Sequence, residues 1–283
     1  MKRFYFLLLL LFINFIAAAQ QNISYQLSVN NTSIGIENSV FTDALGSDNK
    51  IQHSASFEIV LNNNDATNAI ITAIQDAVTP QPLIKTRETA ASATLQLVFT
   101  KVDSRAAVTE EKAYSGILLD EIKLPNLNAA DQSAARVTVK LRATTVTAMP
   151  AGGKAASTGN AHNINIPVSN FMLTMGTLPC RKVTKISSIS IKPADNALQN
   201  FTVEISGADA APWNQWFTTG AGGTKKEQCK IDLVASDFKT VVMTIQLSNV
   251  EIVSYSISNT GNIARATVGL RGRAAVVKKV TQL

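Results

Sequence analysis

Residues 135–143 read ARVTVKLRA, and residues 264–272 read ARATVGLRG. Six of the nine positions are identical. In the first stretch Val137, Val139 and Leu141 alternate with Thr138, Lys140 and Arg142. In the second, Ala266, Val268 and Leu270 alternate with Arg265, Thr267, Gly269 and Arg271. A period of two lays the apolar side chains on one face of a strand and the polar ones on the other, so both stretches read as half-buried β-strand. The match continues upstream in the same order. Residues 117–124 (ILLDEIKL) face 245–252 (IQLSNVEI), and residues 57–61 (FEIVL) face 201–205 (FTVEI). The offset is 144 at the front, 128 in the middle and 129 at the end, the drift that loop insertions in one copy produce. Several matches in one order indicate two copies of one fold, too few for a solenoid.

The rest of the chain agrees with a β fold. Leu95, Leu97 and Phe99 alternate with Gln96, Val98 and Thr100, and Val241, Met243, Ile245 and Leu247 repeat the pattern. Val, Ile and Thr enrichment fits a pleated, half-buried surface. The expected fold is therefore mainly β: two tandem antiparallel β-barrel or sandwich domains, each with one short helix. In the first copy Asp65 can cap a helix to Val78, with Ala66, Ala69, Ile70, Ala73, Ile74 and Val78 as its apolar stripe. In the second, Asp209 precedes Pro212, Trp213, Trp216 and Phe217, and Gly220 closes the segment. Proline suits a first helical turn and glycine the position after the last. Residues 149–162, MPAGGKAASTGNAH, have the composition of a linker. The domains are expected at 20–148 and 163–283, with the linker between them.

Residues 1–19 read as a secretory signal. Lys2 and Arg3 lead an apolar run from Phe4 to Ile16, and Ala17–Ala18–Ala19 supplies small residues for cleavage. The run is shorter than the roughly 20 residues that cross a bilayer. Cleavage removes two positive charges from a formal net charge of +6. What remains is a mild excess with no dense basic run, which argues for ordinary solubility over nucleic-acid binding. Export exposes Cys180 and Cys229 to an oxidising compartment, where a disulfide and two buried thiols are comparable alternatives.

Catalytic motifs are missing. The two histidines, His53 and His162, fall in different copies, in stretches that read as polar loops, and neither has metal-ligand spacing. There is no Gly-Xaa-Ser-Xaa-Gly elbow and no phosphate loop; residues 220–226 (GAGGTKK) have the wrong spacing for one. Glu110 and Glu111 are adjacent and so point to different faces. No catalytic, cofactor-binding or metal-ligating residue is assigned, and the chain reads as a non-enzyme. Trp213 and Trp216, three apart, share a helix face. They form either a stacking surface for a sugar or partner, or an anchor of large residues. Arg136 and Arg142 share a strand face, as do Arg265 and Arg271. They form either an assembly or channel face, or solvated charge that blocks edge aggregation.

The stretch 203–247, VEISGADAAPWNQWFTTGAGGTKKEQCKIDLVASDFKTVVMTIQL, resembles the core of the Hcp and phage tail-tube family, the ring-forming proteins of type VI secretion and contractile tails. The family's acidic residue, Thr-Gly turn, Lys-rich strand, Leu-Xaa-Asn/Asp-Val strand and closing Leu-Arg strand would be Asp209, Thr219–Gly220, residues 225–233, residues 247–250 and Leu270–Arg271. The first copy is similar at Asp65, residues 93–99, residues 119–122 and Leu141–Arg142. The resemblance implies a non-catalytic protein whose β-barrels self-assemble into rings. With two barrels per chain, a homotrimer would have pseudo-sixfold symmetry. Other secretion or surface proteins are expected as further partners, and the signal at residues 1–19 places the chain in the periplasm or outside a Gram-negative cell. A cleaved signal and a duplication both depart from the family pattern. The alternative from the residues themselves is a secreted β-sandwich binding module for a glycan or a surface protein.

Overall fold

The computed structural model describes residues 24–29, 32–46, 49–62, 66, 67, 69, 70, 96–152, 154, 155, 165–192, 199–220, 226–260 and 263–278. The expected signal at 1–19, most of the linker from residue 153 onward and His162 lie outside the described residues. The fold is mainly β, as expected, with two barrel-like antiparallel sheets.

The first sheet contains β1 (Ser24–Val29), β2 (Thr32–Leu45), β3 (Ile51–Val60), β4 (Leu97–Val102), β5 (Val108–Lys123) and β7 (Arg136–Met149). The order is β5-β4-β1-β2-β3-β7, and β7 pairs back onto β5, so the six strands close on themselves. Closure removes the free edges that make an open sheet prone to association. The second sheet contains β8 (Phe171–Met175), β9 (Val183–Ile186), β11 (Gln199–Ser206), β12 (Glu227–Val234), β13 (Val241–Thr260) and β14 (Ile263–Lys278). Its pairings β8–β12, β12–β13, β13–β14, β14–β11 and β11–β9 repeat those of β1–β4, β4–β5, β5–β7, β7–β3 and β3–β2. The duplication read from the sequence is thus a duplication of topology.

One pairing is not repeated. β1 pairs with β2, whereas among the described residues no ladder joins β8 to β9. Into this seam the first copy sends its β5–β7 connection. Leu127–Asn128, strand β6, pairs with β9, and the Ala129 amide donates to the Thr184 carbonyl at 2.9 Å. On the other side the Val168 amide donates to Ser133 O at 2.8 Å, and the Ala135 amide to Ile166 O at 2.7 Å. The second copy reciprocates: Ser190–Ile191, strand β10, pairs with Lys123 and Ile122 of β5. The two halves consequently share one core. Phe57, Phe99 and Leu141 belong to the same buried cluster as Val203, Ile231 and Leu270. Burying each such side chain contributes roughly 1.5–3 kcal/mol. At the junction a cavity of only about 10 Å³ remains between Leu127 and Pro125 of one copy and Ile186, Ile231 and Ile245 of the other. That is barely room for one water.

The second copy's helix is present: a 3₁₀ turn at Gly207–Asp209 runs into α1 (Ala210–Gly220). It lies between β11 and β12, the place of residues 61–96 in the first copy. There Ala66, Thr67, Ala69 and Ile70 are helical, and Ile70 is fully buried; the remainder of that expected helix lies outside the described residues.

Candidate functional site

The interior of the first barrel changes character along its axis. Leu27, Phe57, Leu97 and Leu141 fill one part of it. Toward the end where β4 turns into β5, the inward positions become aromatic and then charged. Phe99 packs edge-on against Tyr114 (centroids 4.9 Å apart), Phe41 (5.0 Å) and Phe57 (5.4 Å), and Tyr25 stands 5.3 Å from Phe41. Edge-to-face packing of this kind suits the ring quadrupoles. Beyond the rings, Lys101 faces Glu110 across the β4–β5 pairing, and Lys112 closes an ion pair with Glu110 at 2.5 Å. Tyr25, Ser39, Phe41, Phe99, Lys101, Glu110, Lys112 and Tyr114 together line a cavity of about 290 Å³ at the mouth of the barrel.

Two local devices aim these side chains inward. On β2, Ile34 and Ile36 face the core, but a bulge between Glu37 and Val40 shifts the register, with Asn38 at φ 47°. The extra residue flips the face, so Phe41 rather than its neighbours meets Phe99. Asn tolerates the left-handed region better than other residues with a side chain. On β5, Glu110, Lys112 and Tyr114 keep the period of two, and Glu111 points elsewhere, as its adjacency to Glu110 requires. The Lys112 hydrogen bond holds Glu110 below the usual carboxylate range, and the same bond raises Lys112, so both remain ionised. Burial raises the Tyr114 hydroxyl. His53 is not in a loop: it lies on β3 and is hydrogen-bonded through Nδ1 to Asp43 across the β2–β3 pair at 2.7 Å.

Among the described residues the second barrel shows no such mouth. Where β4 and β5 carry Lys101, Glu110 and Lys112, the inward positions of β12 and β13 are Ile231, Leu233, Met243 and Ile245, all buried. Sequence reasoning passed over the first barrel's mouth because its residues come from separated strands with no fixed spacing. The one legible signal was Lys101, which continues the apolar alternation of Leu95, Leu97 and Phe99.

The four arginines lie on the outer faces of β7 and β14, and each has a carboxylate partner. Arg136 reaches Glu37 (2.8 Å), Arg142 reaches Asp120 (2.7 Å) and Arg265 reaches Glu204 (2.6 Å). Arg271 binds Glu251, with Nε 2.7 Å from Oε1. The shared face is therefore a row of ion pairs rather than bare cations. Of the two readings of Trp213 and Trp216, burial fits the anchor: they are 0% and 3% exposed, on the inward face of α1. The Trp213 indole N–H donates to Pro179 O at 3.0 Å, so the pair anchors the helix and offers no platform to solvent. Cys180 and Cys229 stand as free thiols, not a bridge. Elsewhere the surface carries exposed aliphatic residues at hairpin ends: Leu45 opposite Ile51 on β2–β3, and Ile257 and Ile263 on β13–β14.

The sequence matches no protein-family model and no curated protein. Among the described residues, no group of three or more His, Cys, Asp or Glu is placed to hold a metal ion, and no helix is long and apolar enough to cross a membrane.

Proposed function

We propose that this chain is an exported, non-catalytic structural protein that assembles with copies of itself into rings, in the manner of Hcp and tail-tube proteins. The observation that carries this reading is the repeated strand order of two barrels fused into one body. One chain then offers two related outer surfaces, and three chains supply six barrels. A closed ring of this kind satisfies every contact surface, as symmetric assemblies do. The ion-paired rows on β7 and β14 supply polar surface for a contact or a lining whose charges already have partners within the chain. The exposed aliphatic residues of the two long hairpins supply apolar surface for a neighbour. The glycan-binding alternative draws no support from Trp213 and Trp216, since both are buried.

The test is the mass in solution of protein purified after expression of the full chain, measured with negative-stain imaging at about 50 µM, because assembly responds to concentration by mass action. Rings or stacks of a three-chain unit support the proposal. A strict monomer at that concentration overturns it.

A further inference from the structure

Beyond assembly, we propose that the mouth of the first barrel binds the ring of a neutral saccharide. Four observations lead there. The floor is a set of aromatic rings, Tyr25, Phe41, Phe99 and Tyr114, against which the C–H face of a pyranose packs. The rim carries both signs of charge: Glu110 faces Lys101 across the β4–β5 pairing and is ion-paired to Lys112 at 2.5 Å. Such a rim supplies donors and acceptors for the hydroxyl groups of a sugar. A charged ligand would also have to displace the Glu110–Lys112 pair. The cavity, about 290 Å³, is at the small end of ligand pockets, the size of one or two sugar rings. Finally, the second copy fills the equivalent space with Ile231, Leu233, Met243 and Ile245. Two copies of one fold thus differ here: one barrel end is plugged, the other open and polar. Inward lysines and a glutamate carry a desolvation cost that an aliphatic plug avoids.

The experiment is saturation-transfer NMR on protein purified after expression of the full chain. The probes are the methyl glycosides of glucose, galactose, mannose and N-acetylglucosamine, each at about 10 mM to reach weak binding. Saturation is expected on the ring protons of at least one glycoside. Ser39→Trp, which fills the mouth from its rim without touching the buried rings, should abolish it. Lys101→Met and Glu110→Gln, at half-buried rim positions, should each weaken binding by about tenfold, the loss of one charge-assisted hydrogen bond. Circular dichroism confirms that each variant is folded. No saturation with any of the four glycosides, or saturation that survives Ser39→Trp, overturns the proposal.

Discussion

Ser190, on the short strand that the second copy lends to the first barrel, donates its hydroxyl to the carboxylate of Glu121 on β5. Lys140 binds the same carboxylate from β7 at 2.7 Å. Glu121 is thus a pin between the halves, with its side chain only 14% exposed. The Lys140 hydrogen bond, and then the Ser190 one, hold its pKa below the ordinary 4.5.

A pKa lowered by folding stabilises the fold at every pH above the unfolded value, and the contribution is lost as pH falls through the lower folded value. Glu121→Gln should therefore cost about 1–2 kcal/mol at pH 7, with half-exposed Lys140 keeping the figure modest. The gap to the wild type should narrow as pH falls below the ordinary 4.5 and through the lower folded value. Urea midpoints between pH 7 and pH 3 check this; a constant gap across the range would remove Glu121 from the acid response.

The four arginine pairs are not equivalent. Glu251 is 12% exposed beside Arg271, whereas Glu37 is 48% exposed beside Arg136. Removing a cation from a buried carboxylate leaves that charge without its partner, and removing one from an exposed carboxylate leaves it to water. Arg271→Ala should destabilise by about 1.5–3 kcal/mol and Arg136→Ala by under about 1 kcal/mol. Equal losses in thermal or denaturant unfolding would contradict the difference in burial.

Two of the three mismatches in the repeated nonapeptide have a structural cause. Gly269 and Gly272 replace Lys140 and Ala143 because β13 crosses β14 closely. A Cβ on Gly269 would lie 2.2 Å from Ser254 Oγ, and one on Gly272 would lie 2.8 Å from Val250 Cγ2. Gly272→Ala should cost about 1–3 kcal/mol by overpacking. Gly35→Ala on β2, where a Cβ meets nothing within 4 Å, should be neutral or gain about 0.5 kcal/mol. Paired melting curves decide, and a neutral Gly272→Ala would show that β13 yields at that point.

Burial pushes the Cys180 thiol up to about 11 and the Cys229 thiol up to about 12. The thiolate is the reactive form, so at pH 8 both should resist a thiol reagent in the native protein. Two equivalents should react once the protein is unfolded in denaturant. If none reacts in denaturant until a reductant is added, the cysteines are bridged in the exported protein, contrary to the free thiols described above.

The repeated strand was legible because half-burial imposes a period of two, and Val137, Val139, Leu141, Ala266, Val268 and Leu270 are all buried as that period requires. The helix after Asp209 was legible because Pro212 and Gly220 mark its ends. The sharing of strands between copies was not. Strands β6 and β10 have two residues each, too short to show any period, and backbone hydrogen bonds that ignore side-chain identity hold them. The sequence left the tryptophan pair open between surface and anchor for a related reason: spacing fixes which face two residues share, but not whether that face looks inward. The barrel mouth stayed hidden because the Asn38 bulge, which no periodicity announces, decides that Phe41 meets Phe99.

The strand exchange also constrains the order in which the molecule can be made. A chain emerging from its N-terminus has all six strands of the first barrel by residue 149, before any of the second exists. At that moment the 127–135 segment has no β9 and no residues 166–168 to bind. The first half thus waits with a template in place, and the second half completes its circuit only by growing onto it. Separately expressed, the second half would start with an open seam that another molecule's strand could enter. Gene fusion here is a folding instruction as well as a doubling of surface.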